Sequence, residues 1–323
     1  MKYLILGGNG FIGSALRENL LHAGHSVLTF GLEADPNCPA HNGDLVHLQG
    51  DFSDYSTWRP ILEEYSTVFH CISTTTPHTA DLKPSFDLES NTGALLRFLP
   101  FAAAAAAKVI FVSSAGTVYG ATTERHISES HPTDPICAYG VGKLAMEKYL
   151  HFYHHRHGLS YAVARVSNPF GERQNLLRPQ GAVGVFLRKA MLGEPIEIWG
   201  DGQVVRDFIY ISDVAEALVR ISEYDGPYPV FNVGMGEGKS VNQIVSTIES
   251  VLGKSLAKVY MPGRPEDVPY NVLSTRKARE LLGWRPAISF EEGLAKTVRW
   301  VRQETLEDPE FASFHAQKAI AST

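Results

Sequence analysis

The sequence is poor in cysteine, in net charge and in long apolar runs. Its 323 residues include three cysteines, Cys38, Cys71 and Cys137, an odd number without metal-ligand spacing, which indicates a reducing compartment without structural disulfides. The formal net charge of −6 gives no general attraction to nucleic acid or anionic lipid. No apolar run reaches membrane-spanning length, and the first residues lack the layout of a signal peptide. We therefore expect a cytoplasmic protein with no nucleic-acid or membrane partner.

The composition is that of an ordinary globular protein, with 44% hydrophobic and 20% charged residues. A chain of this length can bury a large core and form two lobes that pack as one unit. Between Lys2 and Lys143 strand and helix patterns alternate five times, which predicts an α/β fold with a Rossmann-type doubly wound parallel sheet and right-handed crossovers. From Asn168 the alternation weakens and loops rich in Pro and Gly predict a smaller α/β lobe for substrate.

A glycine-rich turn follows the first predicted strand, residues 2–6, and leads into a helical pattern. In this setting the first glycine permits a tight turn, the second lets the backbone approach a pyrophosphate, and the third lets the helix pack on the strand. The amides at the helix N-terminus then meet the phosphates. A plain glycine-rich turn is the less favoured interpretation. The predicted cofactor-binding positions are Gly7, Gly10, Phe11, Ile12 and Gly13.

The end of the second predicted strand, residues 26–30, bears on the choice of dinucleotide. The acidic residue that usually binds the adenosine ribose is replaced by Gly31, although Glu33 or Asp35 is close enough in sequence to take over. No Lys or Arg occurs at residues 18–58, so nothing local is offered to a 2′-phosphate. NAD is therefore favoured over NADP.

Asp51 and Phe52 follow the third predicted strand, residues 46–49, and are predicted to bind the cofactor. Asp51 can accept a hydrogen bond from the adenine amino group, and an ordinary helix N-cap is an equally good interpretation of it. The fourth strand, residues 67–72, leads into a polar loop at 73–77, on the sheet edge where ligands bind in doubly wound folds.

The alanine-rich segment 86–108 is predicted to be one packed helix, because alanine has the highest helix propensity. A buried strand follows at 109–112. It ends in the hydroxyls of Ser113 and Ser114, with Thr117 shortly after.

Tyr139 and Lys143 lie four residues apart in a predicted helix, so both project from one face. A free phenol titrates near pH ~10, and a nearby cation such as Lys143 favours its anion. Taken alone, this spacing also describes a solvated helix face. The chemical interpretation is favoured because a strand ending in hydroxyls comes about twenty residues earlier.

Taken in order, these motifs resemble the extended short-chain dehydrogenase/reductase superfamily, and within it the NAD-dependent nucleotide-sugar epimerases and dehydratases, above all the UDP-glucose 4-epimerases. The resemblance implies that Tyr139 removes the proton of a sugar hydroxyl while hydride passes to a retained NAD. Lys143 would bond the nicotinamide ribose, and hydride would return to the other face of a transient 4-keto sugar. The matching stretches are residues 7–13, 50–51, 113–120, 139–143, 165–171, 200–210 and 282–286.

The loop after the fifth strand departs from the pattern of these relatives, whose catalytic Ser or Thr corresponds to Ala115. Ser114 or Thr117 is expected to supply the hydroxyl, with Ser114 preferred; alternatively both only cap the strand end. Dehydratases and decarboxylases of the superfamily carry acidic residues in this loop, and 3,5-epimerase/reductases carry a cysteine. Residues 115–117, Ala-Gly-Thr, offer neither, which favours 4-epimerisation.

The resemblance also implies a nucleotide-sugar site in the second lobe. Asn168 would contact the diphosphate, and Arg206 and Arg264 are the candidates for its phosphate oxygens. Trp199 either faces the uracil or is a core residue. Asn271 corresponds to a bulkier tyrosine beside the sugar's 2-substituent, so N-acetylhexosamine nucleotides are also expected to be accepted.

The expected domains are an NAD-binding Rossmann domain (1–166 plus about 205–233), a nucleotide-sugar-binding lobe (167–204 and 234–303) and a polar C-terminal tail (304–323). We interpret the histidine-rich run 151–157 as a helix C-terminus and predict no metal site. Because relatives pair through helices of the first lobe, a homodimer is expected.

The function expected from the sequence is that of an isomerase of carbohydrate metabolism, a UDP-glucose/UDP-galactose-type 4-epimerase. Two alternatives stay open. One is another reaction on a nucleotide sugar, such as reduction or C2, C3 or C5 epimerisation. The other is a catalytically silent NAD-binding regulator.

Overall fold

Strands and helices alternate along most of the chain. The computed structural model describes residues 1–32, 44–52, 54, 58–176, 181–264 and 268–307. In chain order the strands are β1 (Lys2–Leu6), β2 (Ser26–Gly31), β3 (Leu45–Gln49), β4 (Thr67–His70), β5 (Lys108–Ser114), β6 (Ser160–Val166), β7 (Asn168–Phe170), β8 (Ile196–Trp199), β9 (Val205–Tyr210), β10 (Val230–Val233), β11 (Gly238–Ser240), β12 (Lys258–Met261) and β13 (Tyr270–Asn271). The helices are α1 (Phe11–His22), α2 (Trp58–Glu64), α3 (Pro77–Leu82), α4 (Pro84–Asp87), α5 (Ala94–Ala104), α6 (Ala115–Val118), α7 (Ala138–His157), α8 (Ala182–Leu192), α9 (Ile211–Glu223), α10 (Val241–Leu252), α11 (Arg276–Leu282) and α12 (Phe290–Glu307), with a π-helical segment at Leu88–Gly93.

Seven of these strands form one parallel sheet in the order β10-β6-β5-β4-β1-β2-β3. The order reverses between β1 and β4, so their carboxyl ends border the crevice in which doubly wound sheets bind ligands. Gly7, just after β1, lies so close to the end of β4 that a Cβ on it would be 3.2 Å from the Cys71 carbonyl carbon. The doubly wound parallel sheet predicted from the sequence is confirmed.

The large sheet is buried on both faces, and β1 shows how its sequence achieves this. Ile5 belongs to a core that also holds residues of α1, α8 and α9, whereas Leu4 and Leu6 belong to a second core with residues of α2, α5 and α7. Successive side chains of a strand point to opposite faces, so an uninterrupted apolar run supplies both cores. Burying each of these side chains contributes about 2 kcal/mol.

Two smaller sheets lie outside this sheet. In the first, β9 pairs with β7 and β13 in parallel and with β11 antiparallel. In the second, β8 and β12 pair in parallel. The segment 205–233, expected to belong to the NAD-binding domain, divides. Its strand β9 joins a small sheet, whereas α9 packs on α1 and β10 extends the large sheet beside β6.

The segment 86–108 is not the single helix that the sequence predicts. It consists of the end of α4, the π-helical segment and α5, which ends at Ala104. Ala106 has a left-handed φ of 52°, and the amide of Ala107 returns to the carbonyl of Ala102 at 3.0 Å. This helix-ending turn releases Lys108 into β5.

Two other boundaries also differ from the prediction. The polar loop 73–77 ends in a helix start, because Thr76 forms a capping box with Thr79 and Pro77 occupies the first turn of α3. In the C-terminal tail predicted from residue 304, residues 304–307 still belong to α12, which continues to Glu307. Residues 308–323 of the predicted tail lie outside the described residues.

Candidate active site

The glycine turn after β1 packs closely against the ends of β2 and β4 and the start of α1. Gly7 has φ +82° and its amide bonds the Phe30 carbonyl of β2 at 2.7 Å. A Cβ on Gly13 would lie 2.1 Å from the Gly7 carbonyl oxygen, so only glycine lets α1 start this close to the turn. Among the described residues, a Cβ on Gly10 would meet the Gly7 oxygen at 3.2 Å and no other atom within 4 Å.

The start of α1 at Phe11 and Ile12 therefore borders a side-chain-free stretch of backbone at the crevice. The first amides of a helix have no intrahelical partner, and the helix dipole favours negative charge there. This cradle fits a dinucleotide pyrophosphate in charge and in space.

The predicted adenosine contacts are only partly described. Gly31 ends β2, and the alternatives Glu33 and Asp35 lie outside the described residues. Asp51 is exposed and its carbonyl accepts the amide of Asp54 at 2.9 Å. Phe52 is buried against the rings of Trp58, His70 and Phe98, so its side chain belongs to the core and only its backbone can face a ligand.

Lys143 and Tyr139 lie where α7 passes the end of β5. Lys143 is buried, and its Nζ donates to the Val112 carbonyl oxygen at 3.0 Å. The same Nζ lies 5.6 Å from the centre of the half-buried Tyr139 ring and 5.0 Å from that of Phe111. The ammonium group of Lys143 is thus placed beside the Tyr139 ring.

The hydroxyl groups of the β5 loop differ in availability. Ser113 donates to the Glu147 carboxylate at 2.5 Å and is therefore engaged. Thr117 donates weakly to the Ser114 carbonyl oxygen at 3.4 Å. Ser114 is half-buried, and within the described part of the chain its Oγ has no hydrogen-bond partner. Ser114 is thus the hydroxyl in this loop that is left for a ligand.

Ala115, which the resemblance matches to the relatives' catalytic hydroxyl, is 0% exposed and packs in an apolar cluster with Val118, Tyr119, Ile127 and Leu273. The next residue, Gly116, is half-buried. A Cβ there would be 3.9 Å from Asn168 Oδ1 and 4.0 Å from Ser114 Oγ, so these two groups lie near each other.

The small sheet centred on β9 brings three predicted substrate residues together. Asn168 Nδ2 donates to the Asp207 carbonyl oxygen at 2.8 Å, and Asn271 is the register partner of Arg206. Arg206 is half-buried and its Nη1 donates to its neighbour's carbonyl, that of Val205, at 3.0 Å. Asn271 is 1% exposed: its Nδ2 donates to the Ala115 carbonyl oxygen at 3.2 Å, and its buried Oδ1 has no hydrogen-bond partner in the described ranges. Asn271 therefore lies behind the β5 loop rather than in an open pocket.

Trp199 and Arg264 form a separate pair. The Arg264 guanidinium carbon lies 3.8 Å from the centre of the Trp199 ring, close enough to stack, and both side chains are exposed. Trp199 is therefore not a core residue. An aromatic face and a guanidinium together suit a base and a phosphate.

Sequence reasoning assigned no role to Asp207, although it lies in a quoted motif. Its buried carboxylate accepts the amides of Met235, Gly236 and Leu273 at 2.7, 3.0 and 3.2 Å and the Ser167 hydroxyl at 3.2 Å. Burial raises the pKa of Asp207 to about 6, although the four hydrogen-bond donors lower it, so the carboxyl group is ionised at neutral pH. Asp207 ties β9 to the β10–β11 turn and to the segment after β13.

His70 and the pair Glu147–Arg165 were also missed. The His70 ring is buried at the end of β4, neither ring nitrogen has a hydrogen-bond partner in the described structure, and burial with the nearby charge of Lys143 lowers its pKa to about 3. It is therefore neutral at physiological pH. A histidine at a strand end is the sequence signal that could have drawn attention to it.

In the described ranges, no three side chains of His, Cys, Asp or Glu converge in a way that would hold a metal ion. None of the helices described is long and apolar enough to cross a bilayer. Cys71 and Cys137 are free thiols, and burial raises the pKa of Cys71 to about 12, so it is not a nucleophile.

Comparison with known proteins places these features in a family context. The family model described as NAD dependent epimerase/dehydratase matches residues 3–234. The chain is 31% identical over 313 residues to a UDP-glucose 4-epimerase of Mycolicibacterium smegmatis, covering 94% of this chain and 100% of that protein. It is 30% identical to a dTDP-4-dehydro-6-deoxyglucose reductase of Escherichia coli (93% and 97% covered) and 28% identical to a UDP-glucuronic acid decarboxylase of Xenopus tropicalis (94% and 72% covered).

Solved structures of the same fold agree with this. A UDP-glucose 4-epimerase of Thermotoga maritima with UDP-glucose is 32% identical, with a TM-score of 0.88 and 94% and 99% of the two chains covered. A Thermus thermophilus UDP-glucose 4-epimerase in complex with NAD is 30% identical, with a TM-score of 0.85 and 94% and 99% covered. A UDP-N-acetylglucosamine 4-epimerase of Methanobrevibacter ruminantium in complex with UDP-N-acetylmuramic acid is 29% identical, with a TM-score of 0.87 and 94% and 98% covered.

Proposed function

Since the chain belongs to the NAD dependent epimerase/dehydratase family, we propose that it is a nucleotide-sugar 4-epimerase of the UDP-glucose/UDP-galactose type. The observation that supports this most is the pairing of Tyr139 with Lys143 beside a loop, residues 115–117, that carries no carboxyl or thiol group. Removing and returning hydride at one carbon needs one proton acceptor, whereas elimination or decarboxylation needs further acid or base groups. The loop therefore suits 4-epimerisation.

NAD is the cofactor of the family, and the glycine turn fits it. Gly7, Gly10 and Gly13 with the first amides of α1 would hold its pyrophosphate, and Lys143 its nicotinamide ribose. When bound, NAD supplies a hydride acceptor that becomes the donor in the return step, so no net redox change occurs.

Tyr139 is the proposed acid and base. Its oxygen takes the proton of the sugar's 4-hydroxyl as the C4–H bond breaks, and gives it back when that bond re-forms on the opposite face. The Lys143 ammonium, 5.6 Å from the Tyr139 ring, stabilises the phenolate that starts the reaction. Ser114, whose hydroxyl has no hydrogen-bond partner among the described residues, would bond the sugar oxygen and complete the proton path.

The nucleotide is assigned to the second lobe. Asn168, Arg206 and Arg264 are proposed to bind the diphosphate, and Trp199 to stack on the uracil. The domain limits stay as the sequence suggested, except that β9 lies in the small sheet that carries Asn168, Arg206 and Asn271. The similar enzymes crystallised with UDP-glucose and with a UDP-N-acetylsugar support this substrate class.

We infer that acceptance of N-acetylhexosamine nucleotides depends on the small side chain of Asn271, which lies behind the β5 loop and holds the Ala115 carbonyl. We expect Asn271→Tyr to lower kcat/KM for UDP-N-acetylglucosamine relative to that for UDP-glucose, since a larger side chain at this buried position would push the β5 loop toward the sugar. The ratio is measured in one protein sample, so loss of folded protein does not affect it. An unchanged ratio would remove Asn271 from the specificity site.

A reductase acting on a 4-keto nucleotide sugar is the second candidate. It is favoured by Ala115, which places no hydroxyl at the relatives' catalytic position, and by the similarity to the Escherichia coli reductase. Stoichiometric consumption of NADH with a 4-keto sugar, without interconversion of 4-epimers, would establish it.

The proposal is tested by incubating the purified protein with UDP-glucose, UDP-N-acetylglucosamine and their uronic-acid counterparts, without added cofactor, and resolving the products by NMR. We expect a 4-epimer from wild type and none from Tyr139→Phe, which lacks the proton acceptor. Failure of every donor, even with NAD supplied, would exclude 4-epimerisation of these donors and leave a reaction on another nucleotide sugar, the reductase included, or the silent NAD-binding protein.

A further inference from the structure

A buried carboxylate lies on the same face of α7 as the two proposed catalytic groups. Glu147 follows Lys143 by four residues and Tyr139 by eight, and it is 5% exposed. Its Oε1 accepts the Ser113 hydroxyl at 2.5 Å. Helical residues at this spacing stack on one face, so α7 presents Tyr139, Lys143 and Glu147 in a row toward β5.

The partner of Glu147 is Arg165 of β6, also 5% exposed. Arg165 Nη2 donates to Oε2 at 2.7 Å and Nε donates to Oε1 at 3.1 Å. The guanidinium carbon also lies 4.9 Å from the Tyr119 ring centre, and the Tyr119 hydroxyl donates to Asn232 Oδ1 of β10 at 2.6 Å. The bidentate geometry fixes both distance and orientation between α7 and the sheet.

Two neighbouring residues at the end of β5 are thus held by α7. The Val112 carbonyl binds Lys143 and the Ser113 hydroxyl binds Glu147, immediately before Ser114. A shift or rotation of α7 would have to break both contacts together.

Stability alone does not account for this pair. Burying two charges costs several kcal/mol in desolvation, and apolar replacements of similar volume are often neutral or stabilising. An apolar pair of side chains, however, does not fix the orientation of α7 relative to β6, whereas the two hydrogen bonds between Arg165 and Glu147 do.

We propose that Glu147, through Arg165 and Ser113, is a positioning residue that sets α7 against the end of β5, so that Lys143 and Tyr139 meet the cofactor and the sugar. This inference rests on the proposed function for the roles of those two residues. It adds to that function a residue that contacts neither ligand.

The test is the charge-free double variant Glu147→Met with Arg165→Met, which removes both members of the pair and leaves no orphaned charge. We expect cooperative thermal unfolding close to that of wild type. We expect about tenfold weaker NAD binding to the apo-protein by calorimetry, because Lys143 is displaced from the nicotinamide ribose. With a nucleotide sugar that the wild type converts, kcat should fall by about 10²-fold and KM should change little, because a small misplacement of the reacting groups slows the chemical step.

Two comparison variants separate the outcomes. Removing the exposed ion pair Lys239–Glu291 in the same way should change neither NAD affinity nor kcat. Lys143→Met should weaken NAD binding at least as much as the double variant; if it does not, the assigned role of Lys143 is wrong whatever Glu147 does. If Lys143→Met weakens NAD binding but the double variant binds NAD and turns over like wild type, the positioning role is refuted.

Should the double variant fail to fold, Glu147→Gln is measured well below its own unfolding temperature. It keeps the side-chain length but cannot accept both Arg165 donors and the Ser113 hydroxyl equally well. Loss of NAD affinity per folded molecule, with recovery in Glu147→Asp, supports positioning, and wild-type affinity in Glu147→Gln overturns it.

Discussion

At the scale of single residues, the hydroxyl groups near β5 divide by what already occupies them. The Ser113 hydroxyl donates to Glu147, and the Thr117 hydroxyl donates a long hydrogen bond to the Ser114 carbonyl oxygen. Ser114 Oγ is the group left for substrate. From the sequence, Ser114 and Thr117 were two open choices, because spacing along the chain does not show which hydroxyl the fold engages. The contacts favour Ser114.

The first prediction compares Ser114→Ala with Thr117→Val. Losing a group that bonds the reacting oxygen should lower kcat by about 10²-fold or more in Ser114→Ala, with NAD content unchanged. Thr117→Val should stay within about threefold, because it gives up one long hydrogen bond. Steady-state kinetics test this prediction. A larger loss of kcat in Thr117→Val than in Ser114→Ala would assign the catalytic hydroxyl to Thr117.

His70 makes the second residue-scale prediction. Its folded-state pKa of about 3 is below the ordinary value of 6.5, so the unfolded chain binds the proton more tightly. The free energy of unfolding is therefore not reduced by this histidine above pH 6.5, and it falls as the pH drops toward 3. At pH 5 the decrease is about 2 kcal/mol. His70→Leu, which removes two unpartnered nitrogens, should be at least as stable at pH 7 and lose this acid sensitivity. Denaturant unfolding at pH 5 and 7 measures it, and an equal pH dependence in both proteins would contradict the assignment.

At the scale of elements, most strand and helix positions follow from hydrophobic pattern, and the exceptions have local causes. The alanine-rich run looked like one helix through Lys108 because alanine favours helix everywhere; it ends instead where Ala106 takes a left-handed turn and Ala107 enters the core. The start of α3 could have been predicted from the sequence, since Thr76-Pro77 is an N-cap residue followed by a first-turn proline.

The Ala106 turn gives an element-scale prediction. A left-handed alanine costs about 1–2 kcal/mol, and glycine adopts it freely at a smaller entropic cost, so Ala106→Gly should stabilise the protein by about 0.5–1 kcal/mol. In the control, Ala103→Gly inside α5 should destabilise by about 1 kcal/mol. Thermal or denaturant unfolding compares them, and destabilisation by Ala106→Gly would show that the turn is not the constraint.

At the scale of the whole molecule, the sequence predicted the doubly wound sheet, since each alternating unit is local. It could not place β9, because joining β7, β11 and β13 depends on pairings between residues far apart in the chain. For the same reason the contacts of Asn271 with Ala115 and of Glu147 with Arg165 were invisible in the motifs that contain them.

We propose, as expected from the sequence, that the protein is a homodimer in the cytoplasm. The side chains of Leu82 on α3, Phe86 on α4, Leu88 in the π-helical segment, and Val141 and Phe152 on α7 are each more than half exposed. We expect sedimentation to show a dimer that Leu88→Glu with Val141→Glu dissociates, because the new charges would be buried in the interface. Tyr228→Glu, at an exposed aromatic elsewhere, should leave the dimer intact, and a monomeric wild type would contradict the proposal.

The central claim is that hydride leaves C4 of the sugar and returns to the same carbon on its other face, with Tyr139 moving the proton. The measurement that tests it most directly uses UDP-glucose deuterated at C4, in ordinary water and without added cofactor, with the product resolved by NMR. We predict a 4-epimer that keeps its deuterium at C4 and takes up no solvent hydrogen on carbon. Loss of the deuterium to water, or a 4-keto product with accumulated reduced cofactor, would contradict the account.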